Sequence, residues 1–268
     1  IPYHFIYTKE GRVGFYGREI GLMDLFGQSV RALAPLLGGL VILFFDFPAL
    51  YLLAIIVVLL SSLPLSLAGD HLSFTEFSWK RVLSGLFSRP WRLFLIGYSG
   101  LGAEFAITGI FWPLFLFGIA GSFATLGGLA SAPIVTGVVA TVVAASYIDR
   151  VGFRRALSLG VVLWALAWVV AGFLSGIVAI FLLVLFFGII GPFFWIAPDA
   201  ITYTLAKKDP LDFILKRELS LHGFGFLVAG LSALLWYFFP ENWPILFLPA
   251  VLGSFLTGAL IFAKLEGR

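Results

Sequence analysis

Val178-Ala-Ile-Phe-Leu-Leu-Val-Leu-Phe-Phe-Gly-Ile-Ile-Gly-Pro-Phe-Phe-Trp-Ile-Ala-Pro-Asp-Ala-Ile-Thr-Tyr-Thr204 is a run of 27 residues with one charge, Asp199. A helix rises 1.5 Å per residue, so about 20 apolar residues cross the hydrocarbon core of a bilayer. The run lacks the polar–apolar alternation of a barrel strand. In lipid the backbone must be hydrogen-bonded within its own segment, so the run reads as a spanning helix. Seven more stretches share its character: 22–45, 48–68, 93–118, 123–147, 156–176, 219–239 and 244–263. The expected fold is therefore an all-α polytopic membrane protein with about eight transmembrane helices.

Composition agrees. Of 268 residues, 61% are hydrophobic and 12% charged, and the mean hydropathy is +1.07. Soluble domains carry about twice that share of charge, so a soluble enzyme is excluded, as is a disordered chain. No polar stretch is long enough for a nucleic-acid-binding domain, and no nucleic-acid partner is expected. With no Cys, disulfides, thiolate metal sites and cysteine nucleophiles are excluded. His, Asp and Glu form no metal-ligand pattern, so no cofactor is expected.

The basic residues set an orientation. Lys9, Arg12, Arg18 and Arg31 precede the second span. Lys80, Arg81, Arg89 and Arg92 follow it. Arg150, Arg154 and Arg155 follow the fourth, and Lys207, Lys208, Lys216 and Arg217 the sixth. Lys264 and Arg268 lie in the tail. The intervening loops hold none. The positive-inside rule then puts these loops and both chain ends in the cytoplasm. Trp79, Trp91, Trp236 and Trp243 fall near span ends, where an aromatic belt is expected. Phe77, Trp79, Val82, Leu83 and Leu86 mark a short amphipathic helix on the membrane surface.

The chain opens at Ile1 without Met or a signal peptide. It is expected to begin inside a longer protein. A weak internal echo points the same way: Arg18-Glu19 opens the first span and Arg217-Glu218 the seventh. If the two are equivalent, four helices precede this chain and the total is twelve. Repeated halves of this kind build many secondary transporters. The implied division is a remnant of one bundle over 1–68, a linking loop over 69–92 and a six-helix bundle over 93–268.

Between the fourth and fifth spans stands Asp149-Arg150-Val151-Gly152-Phe153-Arg154-Arg155-Ala156-Leu157. It resembles the signature loop of the major facilitator superfamily, roughly G-x-L-x-D-R-x-G-R-R/K-x-x-L. Asp149, Arg150, Gly152, Arg154, Arg155 and Leu157 match. Ala145, Tyr147 and Phe153 depart from the pattern. In that family the loop lies between helices 2 and 3 and again between 8 and 9. Numbering the spans as helices 5 to 12 puts it between 8 and 9, as the echo also does. Ala34-Pro35-Leu36-Leu37-Gly38-Gly39 resembles the helix 5 segment of many exporters in the superfamily, with Ala34 for the usual Gly. The resemblance implies alternating access by two six-helix bundles, with this loop as a latch on the cytoplasmic side. Physically, Asp149 can face a neighbouring helix terminus, Gly152 permits a tight turn, and Arg154 and Arg155 can donate to carboxylates or lipid phosphates. The plain alternative is a set of ordinary cytoplasmic charges.

Glu104 is the one carboxylate near the centre of a span. A charge there is costly, so the default reading is a functional site that faces a cavity or partner and carries a proton. The other reading is a structural carboxyl bonded between helices. Tyr98 and Trp195 are candidate pocket residues, lipid-facing or packing rings being the plainer reading. Asp24 and Arg31, seven apart, share a helix face and either line the inner mouth or let Arg31 snorkel. His222 lies four residues after Glu218, as a relay or an interfacial pair. His4 and His71 read as solvated. Asp199 reads as a helix cap. Arg18-Glu19 and Arg217-Glu218 position helix entries or pair across the halves. Gly127-Gly128, Gly137, Gly188 and Gly191-Pro192 are expected at close helix approaches.

The function expected is a secondary active transporter moving a small organic solute, coupled to protons, with efflux of an amphipathic or cationic compound favoured. Membrane lipids, the solute and protons are the expected partners. A bacterial cytoplasmic membrane is the expected location, and a monomer the expected full-length state. The alternatives are a lipid-modifying membrane enzyme and a non-transporting scaffold subunit. The loops offer the enzyme no Asp-x-x-Asp or His cluster.

Overall fold

In the computed structural model, residues 16–67, 78–121, 123–206 and 209–264 are described, those at 16–17, 65–67, 123–124 and 135 and some between 24 and 43 by backbone alone. No strand occurs among them. The helices are α1 (Tyr16–Leu67), α2 (Trp79–Leu86), α3 (Arg92–Ala106), α4 (Trp112–Ala120), α5 (Phe123–Val151), α6 (Phe153–Phe173), α7 (Ile177–Leu205), α8 (Pro210–Phe238) and α9 (Trp243–Thr257). Seven segments among the described residues are long and apolar enough to cross a membrane. The chain is an all-α polytopic membrane protein. The span expected at 22–45 is helical throughout. It is not among the seven, and part of it lies outside the described side chains.

The break expected after residue 45 is real. α1 bends at Asp46, whose φ of 67° and ψ of 174° are not helical. Pro48 follows and has no N–H to continue the ladder. Asp is one of the few non-Gly residues tolerated at positive φ.

Two helices begin earlier than their hydropathy indicates. α8 starts at Pro210, where Asp209 caps it by accepting from the Asp212 N–H at 3.3 Å. Lys216 and Arg217, read as loop residues, therefore lie two turns inside the helix. α1 likewise includes Arg18 and Glu19. At the other junction α5 runs to Val151, so the expected loop shrinks to Gly152 alone. Its φ of 87° is one that Gly adopts freely and other residues rarely.

The helices form an arc. α8 and α9 pack on α3, α9 also on α6, α6 on α7, and α7 on α5; α1 closes against α5 and α7. Arg18 of α1 meets Asp149 of α5. Arg154 of α6 donates to the Ala263 carbonyl at 3.0 Å, and α2 docks on α8. These contacts gather α2, the heads of α1, α6 and α8 and the tail after α9 at one end of the molecule, the basic end. In the amphipathic helix Val82 and Leu86 are buried against the protein, while Trp79 and Leu83 are exposed. Trp91 leaves the expected belt, buried and stacked 4.9 Å from Phe94.

Close approaches fall only in part where expected. A Cβ on Gly127 or Gly128 would meet nothing within 4 Å. On Gly102 it would run into the Leu221 carbonyl of α8, and on Gly100 into the Gly253 carbonyl of α9. Gly188 does meet α5, at Pro133 and Thr136.

Candidate functional site

Glu104 lies in the last turn of α3 and has no exposed surface. The helix then loosens into a π-type turn over Ile107–Phe111. Pro113 explains it, since its ring would clash with the carbonyl four residues back. Such turns often mark functional sites. Thr108 donates to the Glu104 carbonyl oxygen at 2.5 Å.

Three donors converge on the Glu104 carboxyl. Trp164 and Trp168 of α6, one turn apart, each give an indole N–H to Oε2 at 2.9 Å. The Ser254 hydroxyl of α9 bonds Oε1. That hydroxyl also lies 2.8 Å from the Ala250 carbonyl, and it has only one proton. When Glu104 is ionised, Ser254 donates to it. When Glu104 carries a proton, its own O–H can donate to Ser254, which turns to Ala250. Both protonation states are fully bonded, which a carboxyl that gains and loses a proton requires in a dry interior.

The same two indoles line a cavity of about 480 Å³ among α3, α4, α5, α6 and α7. Trp112, Trp195, Phe105 and Phe187 complete most of its wall, and Gly188, Gly191 and Pro192 leave room in it. Trp195 lines this cavity. Glu104 does not: it stands behind Trp164 and Trp168. Tyr98 is also away from it, fully buried, its hydroxyl 2.8 Å from that of Thr202.

Asp199 reaches the cavity and is no helix cap. It accepts from Arg217 Nη2 at 2.7 Å. The reason is the early start of α8, which brings Arg217 into the packed interior where it needs a counter-charge. Arg217 also bonds Glu218 and lies over the Tyr98 ring, 5.7 Å from its centre. Glu218 meets His222 at 3.0 Å. The His222 side chain is 71% exposed, and neither residue lines the cavity. Replacing Asp199 with Asn should destabilise the fold by about 2 kcal/mol, below the 3–5 of a wholly buried pair because Asp199 is partly exposed. Chemical denaturation in detergent measures it, and Asp199→Asn with Arg217→Gln should recover part of the loss.

Around the turn at Gly152, Arg18 Nε approaches Asp149 at 3.5 Å. An acid in the last turn of α5 opposes that helix's dipole, and Arg18 offsets it. The pair joins the first span to the fourth, whereas Arg217-Glu218 pairs within the later helices. Arg154 donates to the Ala263 carbonyl in the tail after α9, which passes beside it. Arg150 and Arg155 are exposed. The side chains of Asp24 and Arg31 lie outside the described residues, as do His4 and His71.

Sequence reading missed Trp164, Trp168 and Ser254. The one signal was Trp164 and Trp168 at a four-residue spacing in the middle of a span.

The fold and the site define a helical membrane protein with a buried carboxyl beside an aromatic cavity. No model of a known protein family matches the sequence, and no curated protein matches it significantly.

Proposed function

We propose that this chain belongs to a secondary active transporter of the major facilitator type, its spans corresponding to helices 5 to 12. It works by alternating access; Glu104 carries a proton, and the aromatic cavity holds a small organic solute, moved outward in exchange. One observation carries the reading: a mid-span carboxyl with bonding partners in both protonation states, sharing two tryptophans with a cavity of about 480 Å³. A carboxyl is expensive at that depth, and packing alone would be served better by an apolar residue. The Asp149–Arg18 pair supports the latch, since it ties the helix 8–9 turn to the head of helix 5. The test is flux in vesicles reconstituted with the gene product that carries this chain. An imposed pH gradient should drive labelled organic cations against their concentration gradient. Solute movement indifferent to the pH gradient would remove the proton from the mechanism.

Asp149→Asn separates latch from ornament. Arg18 is 59% exposed, so the pair is worth about 1 kcal/mol at most. Thermal stability should hardly change. Losing that bias in one state of the cycle should slow flux by about 2- to 5-fold. Wild-type flux in this variant would show that the charges only decorate the turn.

A further inference from the structure

We propose that the cavity binds a hydrophobic organic cation and that Trp164 and Trp168 couple its arrival to the proton on Glu104, which the cation never touches. The inference rests on the transporter reading and adds its substrate class and coupling route.

The cation follows from the wall. Indole faces attract cations more strongly than other rings do, and Trp112, Trp164, Trp168 and Trp195 all line this space. The one ionisable side chain among its lining residues is an acid, Asp199. Asp199, Arg217 and Glu218, bonded in a row, carry a formal charge of −1 between them. Thr108 is the one neutral hydrogen-bonding side chain besides the indoles in the lining. A sugar or other polyol would lose its water there without replacement.

The coupling follows from the other edge of the same rings. Trp164 and Trp168 present surface to the cavity and their N–H groups to Glu104 Oε2, at 2.9 Å each. A cation over an indole draws its electrons and sharpens the N–H as a donor, which favours the carboxylate over the acid. The plain Coulomb effect has the same sign. At about 7 Å and an effective dielectric constant near 20, a cation would bind roughly 50-fold more tightly to the ionised form. By reciprocity its binding expels the proton by the same factor. Few other groups can share the role. α6 presents only the two indoles to Glu104, and α9 presents Ser254. α8 meets α3 at Gly102 through Leu221 and Gly225, and its charged Lys216, Arg217 and Glu218 are engaged with Asp212, Asp199 and each other. On α3 itself, Tyr98 is bonded to Thr202. On α7 the titratable groups are Asp199, across the cavity, and Tyr203, buried away from it; His222 of α8 is largely exposed and bonded to Glu218.

The experiment uses the gene product purified in detergent, with tetraphenylphosphonium as probe and tryptophan fluorescence as readout. Wild-type affinity should rise by about 50-fold in total from acidic to alkaline solution. Glu104→Gln should bind at all pH values with the weak affinity of the acidic wild type. Trp168→Phe keeps a ring face and deletes one N–H; it should still bind, with a clearly smaller pH dependence. A pH dependence that survives in Glu104→Gln assigns the proton to another group, Asp199 first, and overturns the coupling. A full pH dependence in Trp168→Phe overturns the indole route. Failure to bind this cation when a neutral aromatic probe of similar size does bind overturns the substrate class. Each leaves the transporter reading standing if gradient-driven flux is seen. Conversely, pH-dependent binding without any gradient-driven flux upholds the site and sinks the transporter.

Discussion

Glu104→Gln is expected to lower proton-driven flux by about 100-fold or more, at the modest end of what a positioned acid–base group supplies, with the fold preserved. The amide keeps the geometry of the protonated acid. Its oxygen can accept from Trp164 and Trp168, and its NH2 can donate to Ser254, which then turns to Ala250. What it cannot do is ionise. The variant is therefore a transporter held in one protonation state, and its melting temperature should stay within a few degrees of wild type. Glu104→Leu is the contrasting case. Ser254 can fall back on Ala250, but both indole N–H groups lose their acceptor. Each orphan costs about 1–3 kcal/mol, and in a bilayer the lower end applies because the reference state also finds partners. A loss of about 2 kcal/mol follows, measurable by chemical denaturation in detergent micelles. Proton-driven flux that survives in the Gln variant would remove Glu104 from the transport cycle and leave it as a bridge between α3, α6 and α9.

How much of this was legible beforehand depends on the range of the interaction. Hydropathy marks spans because lipid acts on each segment separately, so seven of the eight stretches reappear as membrane-crossing helices, and the bend at Asp46 falls in the gap between the first two. Gly152 was legible because a tight turn between helices favours the one residue that takes positive φ freely. Hydropathy misplaces helix starts where charges are neutralised in space. Nothing local indicates that Arg217 has Asp199 beside it, so it reads as a loop residue. The same holds for the carboxyl. Glu104 stands out by its depth, yet its partners are 60, 64 and 150 positions away, and which helices meet is decided by packing. Glycine is the hardest case. Gly127-Gly128 and Gly102 are indistinguishable as letters, but the first pair faces open space and the second a neighbouring backbone.

That contrast makes the other large prediction. Gly102→Val should prevent folding, and Gly102→Ala should cost about 3 kcal/mol, the upper end of what overpacking costs in a well-filled interior. A Cβ at Gly102 meets the Leu221 carbonyl, with the Gly225 nitrogen 2.9 Å away. These are backbone atoms, so no rotamer change relieves the clash, and α8 must move as a body away from α3. A Cβ on Gly225 would in return lie 2.9 Å from the Gly102 carbonyl, so the seam is tight from both sides. On the neighbouring seam a Cβ on Gly253 would come within 2.8 Å of the Gly100 carbonyl, and the next residue is Ser254, the hydroxyl that serves Glu104. A shift of α3 therefore reaches the carboxyl even when the protein still folds. Gly127→Ala is the control: with nothing within 4 Å and a helical backbone, it should stabilise by about 0.5–1 kcal/mol through lost unfolded-state freedom. Thermal and denaturant unfolding in one detergent ranks the set. If Gly102→Ala is as stable as Gly127→Ala, the α3–α8 seam is looser than drawn, and the placement of Ser254 against Glu104 loses its support.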